Sequence, residues 1–150
     1  MELASDFSEF CGSLNVNRVE YLVVGAYAMA LHGVPRYTGD FDVYVRPTFA
    51  NGLRVMAAIR EFGFPTDALS AEDVIDPRRV IQMGMPPLQI HIMSEISGLT
   101  WEQAWAGREI GRFGELDVAF LGRTELIENK RAAGRTKDLA DIQALTRQVD

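Results

Sequence analysis

Asp40-Phe41-Asp42-Val43 alternates two acids with two large apolar residues, and no other stretch of this chain restricts its folding so much. In an extended strand residues i and i+2 share a face. Phe41 and Val43 therefore turn one way, into a core, and Asp40 and Asp42 turn the other way, side by side. Two carboxylates so placed repel, which ordinary strand pairs avoid. A hard divalent cation removes that cost, and magnesium takes one or two carboxylates together with phosphate oxygens and water. A solvated edge strand that carries two acids is the alternative reading of the same residues.

The flanking sequence supplies the elements around this strand. Leu3, Phe7, Phe10, Cys11 and Leu14 recur at helical spacing and predict an amphipathic first helix. Glu20 to Val24 reads as a buried strand that ends at Gly25, followed by a short Ala- and Met-rich helix from Ala26 to Leu31. A strand that enters a helix through glycine presents backbone N–H groups to an anion, with little steric barrier to phosphate. A plain strand-to-helix turn has the same sequence. After Phe41–Val45, Thr48 is a fitting N-cap for a helix to about Glu61 that buries Phe49, Leu53, Met56 and Ala57 and stops at Gly63. Residues 64–79 are expected to run irregularly over the surface.

Further along, Val80–Met83 and Leu88–Met93 predict two strands, and Thr100-Trp101-Glu102-Gln103 has capping-box form. A strand pair follows, around Glu109–Arg112 and Leu116–Leu121, with Gly114 in the turn. Two C-terminal helices break near Gly134–Thr136, the last burying Leu139, Ile142 and Leu145. The whole predicts one α+β domain over residues 1–150, a mixed or largely antiparallel sheet flanked by helices.

Composition narrows the function. A net charge of −6 and a pI near 4.9 argue against broad binding to nucleic acid, which needs a basic surface to displace counterions. A nucleoside triphosphate is compatible with that charge, because a metal and a few local basic groups can neutralise it. The single Cys11 offers no internal disulfide and no zinc-type Cys/His cluster. No apolar run approaches the ~20 residues that cross a bilayer. The acidic start lacks the regions of a signal peptide, so the expected location is cytoplasmic.

Val24-Gly25-Ala26, Asp40-Phe41-Asp42-Val43, and Arg36 and Thr38 ahead of Asp40 form one set of motifs. Lys130, Gly134, Arg135, Lys137, Asp138, Asp141 and Ile142 form another. Together they resemble the nucleotidyltransferase-fold superfamily, specifically its minimal bacterial members related to abortive-infection (toxin–antitoxin) nucleotidyltransferases. The likeness runs roughly from Tyr21 to Leu145. It implies a nucleotidyltransferase-like α+β fold and magnesium-dependent transfer, with manganese as an alternative ion. A nucleoside monophosphate would pass from a triphosphate such as ATP to a protein, an RNA end or a small molecule, with loss of pyrophosphate. By this resemblance Asp40 and Asp42 are catalytic metal ligands. Gly25 and Ala26 would cradle phosphate, and Arg36, Lys130 and Lys137 would bind the nucleotide. The two lysines would equally suit a solvated helix, and Arg36 could instead brace the Asp-bearing strand by pairing with a carboxylate.

Two positions depart from the family pattern. Ala26 stands where a serine or glycine is usual. His91, in Leu88-Gln89-Ile90-His91-Ile92-Met93, stands where active members place a third carboxylate. Neutral imidazole can serve as a base but is a poor magnesium ligand, so His91 is either a catalytic group or a structural one. Glu95 and Asp117 are the other acids that could be argued as a substitute. Three readings follow: an active transferase, a weakened relative that binds nucleotide or a partner protein in a toxin–antitoxin type of system, and a plain structural domain.

Overall fold

The structure, a computed structural model, describes residues 5–36 and 38–147. Leu3 of the expected first helix lies outside them. The chain runs α1 (Ser5–Val16), β1 (Tyr21–Val24), α2 (Gly25–Leu31), β2 (Asp40–Val45), α3 (Phe49–Phe62), α4 (Ala71–Val74), β3 (Val80–Met85) and β4 (Leu88–Met93). It continues through α5 (Trp101–Ala106), β5 (Glu109–Phe113), β6 (Leu116–Phe120), α6 (Arg123–Ala133) and α7 (Thr136–Arg147). The six strands form one sheet in the order β3-β4-β2-β1-β6-β5. Three pairings are antiparallel (β1–β2, β3–β4, β5–β6), and β2–β4 and β1–β6 are parallel. The fold is α+β with a mixed sheet. Among the described residues no helix is long and apolar enough to cross a membrane.

The register of β2 positions everything else. Phe41 and Val43 are fully buried. Phe7 of α1 stacks on Phe41 at 4.9 Å, and Phe10 meets Phe62 of α3 edge-on. The helices α1 and α3 therefore cover the apolar face, and burying such aromatics supplies much of the core's hydrophobic gain. The opposite face of β2 carries Asp40, Asp42 and Tyr44 in turn. Trp101 of α5 packs edge-on against Tyr44, and the acids lie beyond that contact.

Three expectations fail in detail. In α3 the buried side chains are Asn51, Val55, Met56, Ala58 and Ile59, while Phe49 and Leu53 are half exposed. The helix is rotated because Asn51 acts as a polar clamp. Its amide oxygen accepts from Glu20 N, and its amide nitrogen donates to the carbonyls of Glu20 and Arg46. Residues 64–79 include α4, held by a Ser70/Asp73 capping box with Ala71 and Val74 buried. On α7, Leu139 is half exposed, and Asp138, Asp141 and Leu145 form the buried face.

Candidate active site

A cleft of about 610 Å³ opens between the polar face of β2 and the α6–α7 hairpin. Asp40 and Asp42 line its sheet side, with Gly25 and Ala26 at the start of α2. Arg36, Lys130 and Lys137 line it too. The antiparallel β1–β2 pair sets Val24 opposite Asp42. That register brings the end of β1 beside the acids.

Asp42 is fixed from two sides. The parallel register sets Asp42 opposite His91, and His91 Nδ1 lies 2.9 Å from Asp42 Oδ1. With the carboxylate ionised, Nδ1–H is the donor. His91 Nε2 is buried with no hydrogen-bond partner among the described residues. The second carboxylate oxygen, Oδ2, occupies the space that a side chain at residue 25 would fill, because a Cβ there would stand 2.2 Å away. Gly25 also has φ +67, the left-handed region that favours glycine. The glycine thus admits the Asp42 carboxylate into the space its missing side chain leaves. Burial pushes the Asp42 carboxyl above its ordinary range, with Asp40 adding to the rise, while the His91 hydrogen bond opposes it.

Asp40 is exposed, and its backbone N–H donates to Thr38 Oγ1. Gly39 before it leaves no room for a side chain, since a Cβ would overlap the Pro87 carbonyl of the β3–β4 turn. That contact places Asp40 at the cleft mouth. Among the described residues the only ion-pair partner of either acid is His91.

The helix side is organised in the opposite way. Asp138 and Asp141 are buried and surrounded by cations. Lys130 Nζ lies 2.9 Å from Asp141 Oδ2 and 3.6 Å from Asp138 Oδ1. Arg135 Nε donates to Asp138 at 2.7 Å, and Arg36 donates to Asp141. The Arg135 hydrogen bond holds the Asp138 carboxyl below its ordinary range. Burial acts to raise Asp141, but pairing with Lys130 and Arg36 outweighs it and leaves that carboxyl lowered as well. Arg36 does pair with a carboxylate, yet the partner belongs to α7 and not to β2.

This arrangement of sheet and helices is shared with a solved protein. A crystal structure from Thermotoga maritima, described as a "putative nucleotidyltransferase", superposes with a TM-score of 0.59 at 14% sequence identity. The match covers 95% of this chain and 89% of that one. The fold is nucleotidyltransferase-like. Neither a protein-family model nor a curated protein matches the sequence.

Within this nucleotidyltransferase-like fold the structure gathers Gly25, Ala26, Arg36, Asp40, Asp42, Lys130 and Lys137 around one cleft, and places His91 behind Asp42. Lys137 is exposed at the rim, whereas Lys130 is enclosed by its two aspartates. Asp117 stands apart, exposed and 3.6 Å from Arg112 on the neighbouring strand. Glu95 lines the cleft, but the described residues contain no group of three acids, histidines or cysteines placed to hold a metal. The pair of buried aspartates on α7 is the feature that the sequence reading left without a role. Its signal was present: acids at positions 138 and 141 share the i, i+3, i+7 stripe with Leu145.

Proposed function

We propose that this chain is a metal-dependent nucleotidyltransferase that moves a nucleoside monophosphate from a nucleoside triphosphate to an acceptor hydroxyl or amine. One observation carries the reading: Asp40 and Asp42 stand together on the polar face of β2, in a cleft, and among the described residues no lysine or arginine is within ion-pair distance of either. The donor set fits one magnesium ion delivered with a triphosphate, because that ion needs only one or two carboxylates beside phosphate oxygens and water. Asp40 and Asp42 Oδ2 would hold it, and Oδ1 stays engaged by His91. Bound there, the ion would supply Lewis-acid neutralisation of the phosphoryl oxygens.

The protein's own groups do the rest. Lys137 and the outward edge of Arg36 offset triphosphate charge, and Lys130, locked between Asp138 and Asp141, fixes α6 against α7 so that the cleft keeps its shape. The acceptor atom forms a bond to the α-phosphorus while the bond from that phosphorus to the α–β bridging oxygen breaks. Pyrophosphate leaves with that oxygen, and the acceptor proton passes to solvent or a cleft carboxylate.

The reaction is tested by incubating the protein with magnesium, lysate and a triphosphate labelled at the α-phosphate, beside one labelled at the γ-phosphate. Transfer of the α label alone supports the proposal, and γ-label transfer contradicts it. His91 favours a second, slower version of the same reading, because a histidine at this register cannot add a third negative charge. His91→Asp is expected to strengthen magnesium binding. Unchanged affinity with a large loss of stability would refute that assignment.

A further inference from the structure

The sheet has two open edges, and only one of them is guarded. β5 carries Glu109 and Arg112, and Arg112 lies 3.6 Å from Asp117 on the neighbouring strand. Charges of this kind are one way natural sheets keep a bare edge from pairing with another chain. β3 stands at the other end of the strand order and has no such guard. From Val80 to Met93 the chain carries no Asp, Glu, Lys or Arg, and β3 itself holds no proline. Val80 and Met85 of this strand are exposed, Met85 to 80%.

The surroundings of β3 say what pairs with it. A cavity of about 350 Å³ follows the strand from Arg79 to Gly84 and is walled by Ile59, Phe64 and Leu69. Arg78 and Arg79 precede the strand, and the Arg78 side chain is 89% exposed. At the other end, exposed Asp6 of α1 lines a small cavity together with Gly84 and Leu88. The edge is therefore basic at its start, neutral along its length and acidic at its end. Such an edge complements a reversed copy of itself. A net charge of −6 opposes self-association over the surface as a whole, but the residues that would face each other here are uncharged.

We infer that the edge of β3 is a self-association surface, on which a second copy of this chain adds its own β3 antiparallel about a two-fold axis. With like faces matched and Val80 kept clear of Pro86, the pairing nearest the middle of the strand sets Gln82 against Gln82 and Ile81 against Met83. Val80 then meets Gly84, and Arg79 meets Met85, which falls at the Arg79 end of the other copy's cavity. Arg78 of each copy comes to Asp6 of the other, twice by symmetry. The two sheets join into one, and because like faces match, both clefts of Asp40 and Asp42 open on the same side. Nothing in this pairing depends on the transferase reading.

Sedimentation velocity of the native chain from about 1 to about 300 µM is expected to show a monomer–dimer equilibrium with a Kd on the order of 10 µM, the weak class of small interfaces. Gln82→Lys sets like charges face to face on the axis and should raise Kd at least about tenfold, while the melting temperature of the dilute protein stays native. Arg78→Asp should also raise it about tenfold, and adding Asp6→Arg to that change should return it to within about twofold of native. Arg112→Asp alters the net charge equally, on the guarded edge, and should leave Kd within about twofold of native. A chain that stays monomeric throughout the range overturns the inference. So does a Kd unmoved by Gln82→Lys, a charge swap that fails to restore it, or an equal loss from Arg112→Asp and Arg78→Asp.

Discussion

One cleft holds two pairs of aspartates, and the protein treats them oppositely. Asp138 and Asp141 on α7 are buried among Lys130, Arg135 and Arg36, and both carboxyls are lowered. Among the described residues Asp40 and Asp42 on β2 have no lysine or arginine within ion-pair distance, only His91 beside Asp42, and the Asp42 carboxyl is raised by burial. The difference separates structure from function. A carboxylate already satisfied by arginine and lysine belongs to the fold, and one kept ionisable without a resident cation is available to a cation from solution.

That contrast can be broken most forcefully on the helix side. Asp141→Asn removes the charge that holds Lys130, whose side chain is 13% exposed. Lys130 then keeps only Asp138, 3.6 Å away, and Arg36 loses its buried partner, which should cost about 3 kcal/mol, the low end for a broken buried pair. Urea unfolding at neutral pH measures the loss, and a change under about 0.5 kcal/mol would place the pair among surface ion pairs.

The same network sets the response to acid. Folding lowers the Asp138 and Asp141 carboxyls below their ordinary value of 3.8. Their contribution is therefore complete above that value and is lost as pH falls through the lower folded values. Asp138→Asn should be less stable than the native protein at pH 7 and should lose less on acidification below about pH 4. A native and a variant curve that stay parallel through this range would contradict it.

Gly25→Ala comes next. It combines positive φ with a Cβ set against Asp42 Oδ2, and should cost about 2 kcal/mol. Adding Asp42→Ala should return part of that loss, because it removes the clash and leaves only the backbone strain. Strict additivity of the two changes would show that Gly25 does not shape the position of Asp42.

The smallest effect has the opposite sign. Asp42→Asn keeps an oxygen for His91 and removes the repulsion from Asp40, so without metal it should leave stability unchanged or raise it by up to about 1 kcal/mol. A loss of more than about 1 kcal/mol would mean that Asp42, like Asp141, is part of the scaffold.

The sequence disclosed the sheet side more fully than the helix side, for a physical reason. Strand alternation has period two, so Asp40-Phe41-Asp42-Val43 declares both its faces within four residues. Helical faces are declared by apolar residues, and α7 buries acids where apolar residues were expected. Leu139 consequently looked like core, although it is half exposed. In α3 the same failure came from Asn51, whose hydrogen bonds to Glu20 and Arg46 outweigh the burial of Phe49 and Leu53. Local composition also hid α4, because its four residues carry only two apolar side chains inward. The pairing of His91 with Asp42 depends on the β2–β4 register, which no single strand encodes.

The central claim is that the acids of β2 hold the cation that accompanies a triphosphate. Its most direct test is thermal unfolding of the native chain and of Asp40→Asn with Asp42→Asn, each with and without magnesium and a non-hydrolysable triphosphate. A ligand that binds only the folded protein raises the melting temperature, by about 2.7 kcal/mol in stability at a hundredfold excess over Kd. The account predicts that rise in the native chain and none in the double variant, whose unliganded melting temperature should not fall. An equal rise in both proteins would contradict it, because the metal would then sit elsewhere.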